Sequence, residues 1–150
     1  KEIIKELNNL KVKIKLITDG DVAGALSVTK SIYQVDIFLG IGGGPEGVLA
    51  AVALDAYDCF FQGKFIFDNK NDIDVAKKMG IKDINKKYEL NEIVKGDAIF
   101  CATAITDTMT LKGIIEESKN SYLSETLITF KNLNTRNTDI VKKKFIFDNL

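Results

Sequence analysis

A glycine-rich turn at residues 40–47, Gly-Ile-Gly-Gly-Gly-Pro-Glu-Gly, constrains the fold of this chain more than any other segment. The apolar run 35–39 before it has the β-branched and aromatic composition of a buried strand. The uncharged run 48–54 after it is rich in helix-forming residues. Pro45 suits the start of that helix, because its missing N–H would have no intrahelical partner there. A strand, a glycine turn and a helix N-terminus form a corner suited to anions, yet the acidic Glu46 lies in it.

The composition limits the chemistry that this chain can perform. Its 150 residues include no histidine, which excludes a Ser-His or Cys-His nucleophile pair and a histidine-ligated metal. Carboxylates, hydroxyls, lysines and backbone groups remain. Such oxygen-rich ligand sets favour hard cations, so Mg²⁺ or Mn²⁺ are the compatible metals.

Charge and hydropathy patterns bear on partners and location. The formal net charge is +0 and no basic patch is interleaved with aromatic residues, so we expect no nucleic-acid partner. No apolar stretch approaches the roughly 20 residues of a membrane span, and no signal peptide is visible, so we expect no membrane partner. Cys59 and Cys101 have no ligand-like spacing and suit a reducing compartment. These features together predict a cytoplasmic protein.

Hydrophobic periodicity predicts an alternation of helices and strands. Helices are predicted at residues 1–10, 22–28 with Asp21 as the N-cap, 48–54, 71–79 with Asn71 as the N-cap, 89–94 and 111–117. Strands are predicted at 12–17, 35–41, 63–67, 97–102, 125–130 and 139–147. This order favours a single α/β domain over residues 1–150, with a parallel sheet in a three-layer αβα arrangement and a C-terminal β-hairpin.

Three polar turns are expected at one edge of that sheet. They are Asp19-Gly20-Asp21, the segment 42–46 and the threonine-rich segment 103–108, and each follows a predicted strand. Ligands of open α/β sheets bind beyond the carboxyl ends of the strands, so this edge is the candidate site. Asp19 and Asp21 could clamp ligand hydroxyls, because carboxylates accept hydrogen bonds from vicinal diols. The alternative is an Asp-Gly turn with a helix cap.

The glycine-rich turn is open to three interpretations. Gly42, Gly44 and Gly47 match a Rossmann dinucleotide fingerprint, with Asp68 at a suitable distance for the ribose. However, Glu46 would lie where the pyrophosphate should bind, and Pro45 removes one amide. Glu46 could instead hold a divalent cation, or it could only complement the helix dipole, which is worth roughly 0.3–1 kcal/mol.

Four segments of the chain resemble the class II (GlpX-type) fructose-1,6-bisphosphatases in sequence, order and spacing. They are residues 16–25, 40–48, 79–81 and 102–107. The resemblance implies the sugar-phosphatase fold shared with inositol monophosphatases. It also implies Mg²⁺- or Mn²⁺-dependent hydrolysis of the 1-phosphate of fructose 1,6-bisphosphate in gluconeogenesis, with sedoheptulose 1,7-bisphosphate as a second substrate in some members.

Residue roles follow from the same resemblance, motif by motif. Glu46 matches a metal ligand of the family, whereas Asp19, Gly20, Asp21 and Gly43 match its substrate contacts. The resemblance implies no confident catalytic residue in this chain. The chain departs from the family pattern at three positions. Gly44 stands where the family usually has alanine, and Ala104 and Thr108 stand where it usually has glycine.

The resemblance covers only the C-terminal half of the family. The N-terminal half, with most of the metal-binding acids, has no counterpart in this sequence. We therefore expect the chain to act as part of a longer enzyme and to be inactive alone. We also expect a homo-oligomer, because separation of the halves would expose a face of the sheet. The alternatives are a Rossmann-type dinucleotide-binding domain and a catalytically silent module that binds sugar phosphates.

Overall fold

A layer of helices packs on one face of an antiparallel sheet in the computed structural model, which describes residues 2–18 and 20–146. The α-helices are α1 (Glu2–Asn9), α2 (Asp21–Leu26), α3 (Gly44–Asp55), α4 (Lys70–Lys78) and α5 (Leu90–Ile93), and two short 3₁₀ helices span Ser27–Thr29 and Ser31–Tyr33. The strands are β1 (Gln62–Lys64), β2 (Lys87–Glu89), β3 (Ala98–Thr103), β4 (Ile115–Ser118), β5 (Ser121–Lys131) and β6 (Arg136–Ile146). None of the described helices is both long and apolar enough to cross a membrane.

Strand β5 is the centre of the larger, four-stranded sheet. It pairs with β6 along its whole length, from Ser121↔Ile146 to Lys131↔Arg136. Its C-terminal half also pairs with β3, and its N-terminal end pairs with β4. Since β6 occupies one edge of β5 throughout, β3 and β4 lie end to end along the other edge. A separate two-stranded sheet is formed by β1 and β2.

The core lies between this sheet and helices α2 and α3. Phe100 of β3 and Leu127 of β5 are buried against Leu26 of α2 and Ala53 of α3, with Ala104 and Leu111 completing the cluster. The alanine-rich sequence of α3 presents small side chains, which lets the helix approach the sheet and α2 closely. At the end of α3 the buried Asp55 forms an ion pair with Lys131 of β5, which joins the two layers.

The predicted parallel sheet is wrong for the described residues, in which every strand pairing is antiparallel. The two expected strands before the polar turns, 12–17 and 35–41, belong to neither sheet. Their alternating apolar residues are largely exposed, with Leu16 at 71% and Ile37 at 83%. A strand-like sequence forms a strand only where a partner strand satisfies its backbone, and neither segment has one here.

Several local predictions also need correction. The expected helix at 111–117 is replaced by a turn and β4, because the segment pairs with β5. Asn69 rather than Asn71 caps α4, and its side chain accepts a 3.0 Å hydrogen bond from the Asp72 N–H. Asp21 is the first residue of α2 and makes no side-chain capping bond. The strand expected at 63–67 is observed as β1, which is shorter and spans Gln62–Lys64.

Candidate functional site

The first polar turn leads directly into α2. Asp19 lies outside the described residues. Gly20 has a left-handed backbone with φ +84°, a conformation that favours glycine, and its carbonyl accepts a 2.7 Å hydrogen bond from the Gly24 N–H. Asp21 then opens the helix with its side chain exposed. Glycine at position 20 therefore has a structural cause, while the Asp21 carboxylate is left unused by helix capping.

The second polar turn leads into α3. Gly43 is extended, with φ −68° and ψ 158°, and its carbonyl accepts a 3.0 Å hydrogen bond from the Gly47 N–H. Pro45 lies in the first turn of α3, as its sequence position predicts. Glu46 also lies in the first turn and is exposed, where its negative charge interacts favourably with the helix dipole.

The structure brings these two turns together. A methyl group on Gly42 would overlap the Asp21 carboxylate, and one on Gly43 would overlap the Glu46 carboxylate. The two acidic side chains therefore lie against consecutive glycines. Only residues without a Cβ allow both carboxylates this close to the backbone. Of the three polar turns expected at one sheet edge, the structure brings the first two together, although the parallel sheet invoked for that expectation is absent from the described residues.

Packing around Gly24 holds the segments that carry the two turns. A methyl group at Gly24 would come within 2.6 Å of both Ile17 and Phe38. These side chains come from the extended segments on either side of α2, and they meet over its smallest residue. Ala25 of α2 packs in turn with Ala50 and Leu54 of α3. The site is therefore positioned by close helix packing rather than by a strand ladder.

The exposed carboxylates of Asp21 and Glu46 define what the site can bind. Neither has a hydrogen bond or ion pair with another described residue, and an ionised carboxylate only accepts hydrogen bonds. They are suited to ligand hydroxyls and to hard cations. The described residues contain no group of three or more acidic, cysteine or histidine side chains that could hold a metal. A hard cation at Glu46 would therefore need further ligands from outside the described residues.

The third polar turn, 103–108, is held by its own hydrogen bonds. The Asp107 carboxylate accepts a 2.9 Å bond from the Gly113 N–H and a 3.0 Å bond from Lys112 Nζ. The Gly113 amide and then the Lys112 ammonium lower the pKa of Asp107. Thr103 shares a 2.7 Å hydroxyl contact with Thr126. This turn is therefore built for structure, and Asp107 and Thr103 already have partners.

A larger cleft of about 1040 Å³ lies elsewhere, between α5 and the turn that joins β5 to β6. None of the predicted site residues lines it. Three of its four basic side chains are paired: Lys131 with Asp55, Lys86 with Glu92 and Arg136 with Asp58. Its size therefore does not make it a stronger candidate than the smaller acidic site.

Comparison with known proteins adds independent information to this geometry. Residues 1–142 match the model of the family described as bacterial fructose-1,6-bisphosphatase, glpX-encoded. The chain belongs to this family. The match includes both turns that carry the candidate site.

Curated relatives include three cyanobacterial proteins, each named a D-fructose 1,6-bisphosphatase class 2/sedoheptulose 1,7-bisphosphatase. The Thermosynechococcus vestitus protein is 33% identical over 127 residues, which cover 75% of this chain and 37% of the relative. The Acaryochloris marina protein, whose name carries the number 2, is 35% identical over 126 residues, which cover 75% of this chain and 36% of the relative. A Prochlorococcus marinus protein is 32% identical over 158 residues, which cover 96% of this chain and 47% of the relative. The chain spans less than half the length of these relatives.

The dinucleotide-binding interpretation lacks its structural context. It requires a parallel βαβ unit, with Gly42, Gly44 and Gly47 after one strand and Asp68 after the next. Among the described residues, no strand precedes the glycines, and β1 ends at Lys64 in an antiparallel pair with β2. Asp68 lies in an exposed bend. The described residues therefore do not support the dinucleotide-binding interpretation.

Two buried carboxylates were not singled out from the sequence. Glu125 of β5 accepts a 2.8 Å bond from the Lys112 N–H and pairs with Lys142 at 2.8 Å. Asp55 pairs with Lys131. Both side chains join elements distant in sequence, so their partners cannot be found by local pattern. Their roles are structural, and neither adds to the ligand set of Asp21 and Glu46.

Proposed function

We propose that this chain forms the sugar- and metal-binding half of a class II fructose-1,6-bisphosphatase, which hydrolyses the 1-phosphate of fructose 1,6-bisphosphate. The observation that carries the proposal is that the Asp21 carboxylate of the first turn lies against Gly42 of the second, next to Gly43 and the exposed Glu46 carboxylate. Family membership supports the reaction class. The names of the relatives support fructose and sedoheptulose bisphosphates as substrates.

The sugar is the proposed ligand of the first turn. The Asp21 carboxylate, with that of Asp19, accepts hydrogen bonds from adjacent hydroxyls of the sugar. Gly20 and Gly43 let the sugar approach the backbone, because neither has a side chain to obstruct it. A charge-assisted hydrogen bond of this kind is worth about 1.5–3 kcal/mol. Such bonds would fix the orientation of the sugar relative to Glu46.

A Mn²⁺ or Mg²⁺ ion is the proposed cofactor, with Glu46 as its ligand from this chain. When bound, such an ion stabilises the charge of a transferring phosphoryl group and lowers the pKa of a coordinated water. A single carboxylate does not hold a hard cation firmly against water. The remaining ligands would come from the region of the relatives that this chain does not match.

The proposed partner is therefore the other half of a relative-length enzyme. The chain alone is expected to lack phosphatase activity, because one carboxylate cannot assemble the electrostatic stabilisation that phosphoryl transfer requires. The free thiols of Cys59 and Cys101 support a cytoplasmic location. Association into a homo-oligomer is also proposed.

Calorimetric titration tests the binding proposal. Fructose 1,6-bisphosphate with Mn²⁺ should bind the chain, and Asp21→Asn should raise the dissociation constant at least about tenfold through loss of a charge-assisted bond. Asp68→Asn is the matched control, because Asp68 is an exposed acid that belongs to neither turn. Binding of NAD that is weakened by Asp68→Asn would instead restore the dinucleotide interpretation.

A phosphate-release assay tests the remaining claim. The chain should be inactive with Mn²⁺ and fructose 1,6-bisphosphate, and it should gain activity when mixed with the N-terminal half of the Thermosynechococcus vestitus relative. Glu46→Gln should abolish that activity while the melting temperature is retained. Sugar-phosphate binding without activity in any mixture would identify a silent binding module. If the chain alone releases phosphate and Glu46→Gln abolishes that release, the catalytic site is complete within this chain.

A further inference from the structure

Strand β6 forms an open edge of the larger sheet. All eleven of its residues are exposed, and within the described chain it pairs only with β5. The Asn132 N–H donates a 2.9 Å bond to the Thr135 carbonyl at the turn between these strands. Hydrogen-bonded pairs alternate along an antiparallel ladder from that point. The even-numbered residues of β6 therefore direct their backbone N–H and C=O groups away from β5, where another strand could pair with them.

The side chains of β6 form a self-complementary charge pattern around its midpoint, Val141. Asp139 and Lys143 lie two residues on either side of Val141, on the sheet face opposite the helices. In this chain Asp139 accepts a 2.7 Å bond from the Asn137 amide, and Lys143 lies 5.1 Å from the centre of the Phe145 ring. Neither side chain has an ion-pair partner among the described residues.

The other two lysines of β6 lie on the face of the sheet that carries the helices, and each already has an acidic partner. Lys142 pairs with Glu125 at 2.8 Å, and Lys144 pairs with Glu117 at 3.0 Å. Lysines on an edge strand usually oppose pairing with a second edge. Here one particular register would avoid that repulsion, because it would place every lysine opposite a residue that is not a lysine.

We propose that two copies of this chain associate through β6, antiparallel, about a two-fold axis at Val141. Asp139 then faces Lys143 of the partner subunit, and the symmetry repeats this ion pair. Ile140 and Lys142 of the partner subunit exchange backbone hydrogen bonds, because both direct these groups outwards. Moving the two-fold axis from Val141 to Lys142 would place Lys142 opposite Lys142 of the partner subunit, and this like-charge pair is unfavourable. The sheet becomes continuous across both subunits.

Sedimentation equilibrium of the whole chain tests this interface. The wild type should approach twice its monomer mass of 16.6 kDa as concentration rises. Asp139→Lys and Lys143→Asp each place like charges opposite each other twice, so each should raise the dimer dissociation constant at least about tenfold at low salt. The double variant Asp139→Lys/Lys143→Asp exchanges the charges and should restore dimerisation. The two single variants should associate with each other when mixed.

Circular dichroism should show that all three variants remain folded, because both positions are exposed on β6. A wild type that stays monomeric up to about 1 mM, the weak end of specific association, would overturn the proposal. Dimerisation unaffected by the single variants, or not restored in the double variant and in the mixture, would overturn it equally. The interface does not depend on the proposed phosphatase function, so either idea can fail without the other.

Discussion

The central sheet and the two segments that carry the site differ in how their backbones are held. Every residue of β5 pairs with a residue of β6, and its Leu127 side chain is only 2% exposed. Residues 13–17 and 35–41, in contrast, make no backbone hydrogen bond to another described residue. Leu39 in the second segment is 68% exposed. Both regions have strand-like sequences, but only one of them has partner strands.

This difference shows where the stability of the chain and its proposed function reside. The sheet and its helical layer contain the buried core and the buried ion pairs. The extended segments contribute few buried contacts, apart from Ile17 and Phe38 around Gly24. Regions with few buried contacts open at low free-energy cost and often carry binding sites. Substitutions in each region test this separation of the stable sheet from the segments that carry the site.

Two leucine truncations provide the most direct test of stability. Leu127→Ala should lower the free energy of unfolding by about 2–5 kcal/mol, because it leaves a cavity in the core. The matched change Leu39→Ala should alter it by less than about 0.5 kcal/mol, since that side chain is already exposed. Urea denaturation followed by circular dichroism measures both. Comparable losses in the two variants would show that residues 35–41 are packed as firmly as β5.

Two glycine substitutions should separate stability from binding. A Cβ at Gly113 would lie 2.6 Å from the Ile105 carbonyl oxygen, whereas the atoms nearest to one at Gly42 belong to the Asp21 side chain. Gly113→Ala should cost about 1–3 kcal/mol of stability, because backbone cannot move aside as a side chain can. Gly42→Ala should cost less but weaken binding of fructose 1,6-bisphosphate. Unfolding and calorimetric titrations on both variants measure this. The reverse pattern would contradict the assignment of Gly42 to the site.

Acid denaturation should report on Glu125 in the sheet. The hydrogen bond from the Lys112 N–H, followed by the Lys142 ammonium, lowers the pKa of this carboxyl. A carboxyl with a lowered folded-state pKa stabilises the fold above its unfolded pKa of about 4.3, and this stability is lost as pH falls through the folded pKa. The stability difference between wild type and Glu125→Gln should therefore be full at neutral pH and shrink in acid. A difference independent of pH would exclude this role of the charge.

Much of the helical structure could be predicted from local sequence. The amphipathic N-terminal segment, the Pro45 start of α3, and the short α5 depend on propensity and end signals that neighbouring residues supply. Residues 97–102 and the two tail segments also give strands, within a few residues of the expected bounds. The sheet topology could not be predicted this way. Strand pairing is set by distant residues, so the β-branched and aromatic composition of 35–41 gave no information about whether a partner strand is present.

The site was predictable in part. Asp21 and Glu46 could be selected because each lies in a glycine-rich turn before a helix, and the structure brings those turns together. The contact between Asp21 and Gly42 depends on the packing of α2 against α3, which no local pattern specifies. Asp107 differs from these two residues, because its carboxylate in the third polar turn is engaged by Gly113 and Lys112.

The central claim is that the two turns form one cation- and sugar-binding site, and paramagnetic broadening by Mn²⁺ tests it most directly. In ¹⁵N-labelled chain, Mn²⁺ that binds Glu46 weakly and exchanges with solvent should broaden the amide signals of Gly20 and Asp21 as well as those of Gly42 and Gly43. The signals of β5 should be spared. Glu46→Gln should abolish this broadening, whereas the control Asp68→Asn should preserve it. Broadening confined to one turn, or unchanged in Glu46→Gln, would contradict a single site built from both.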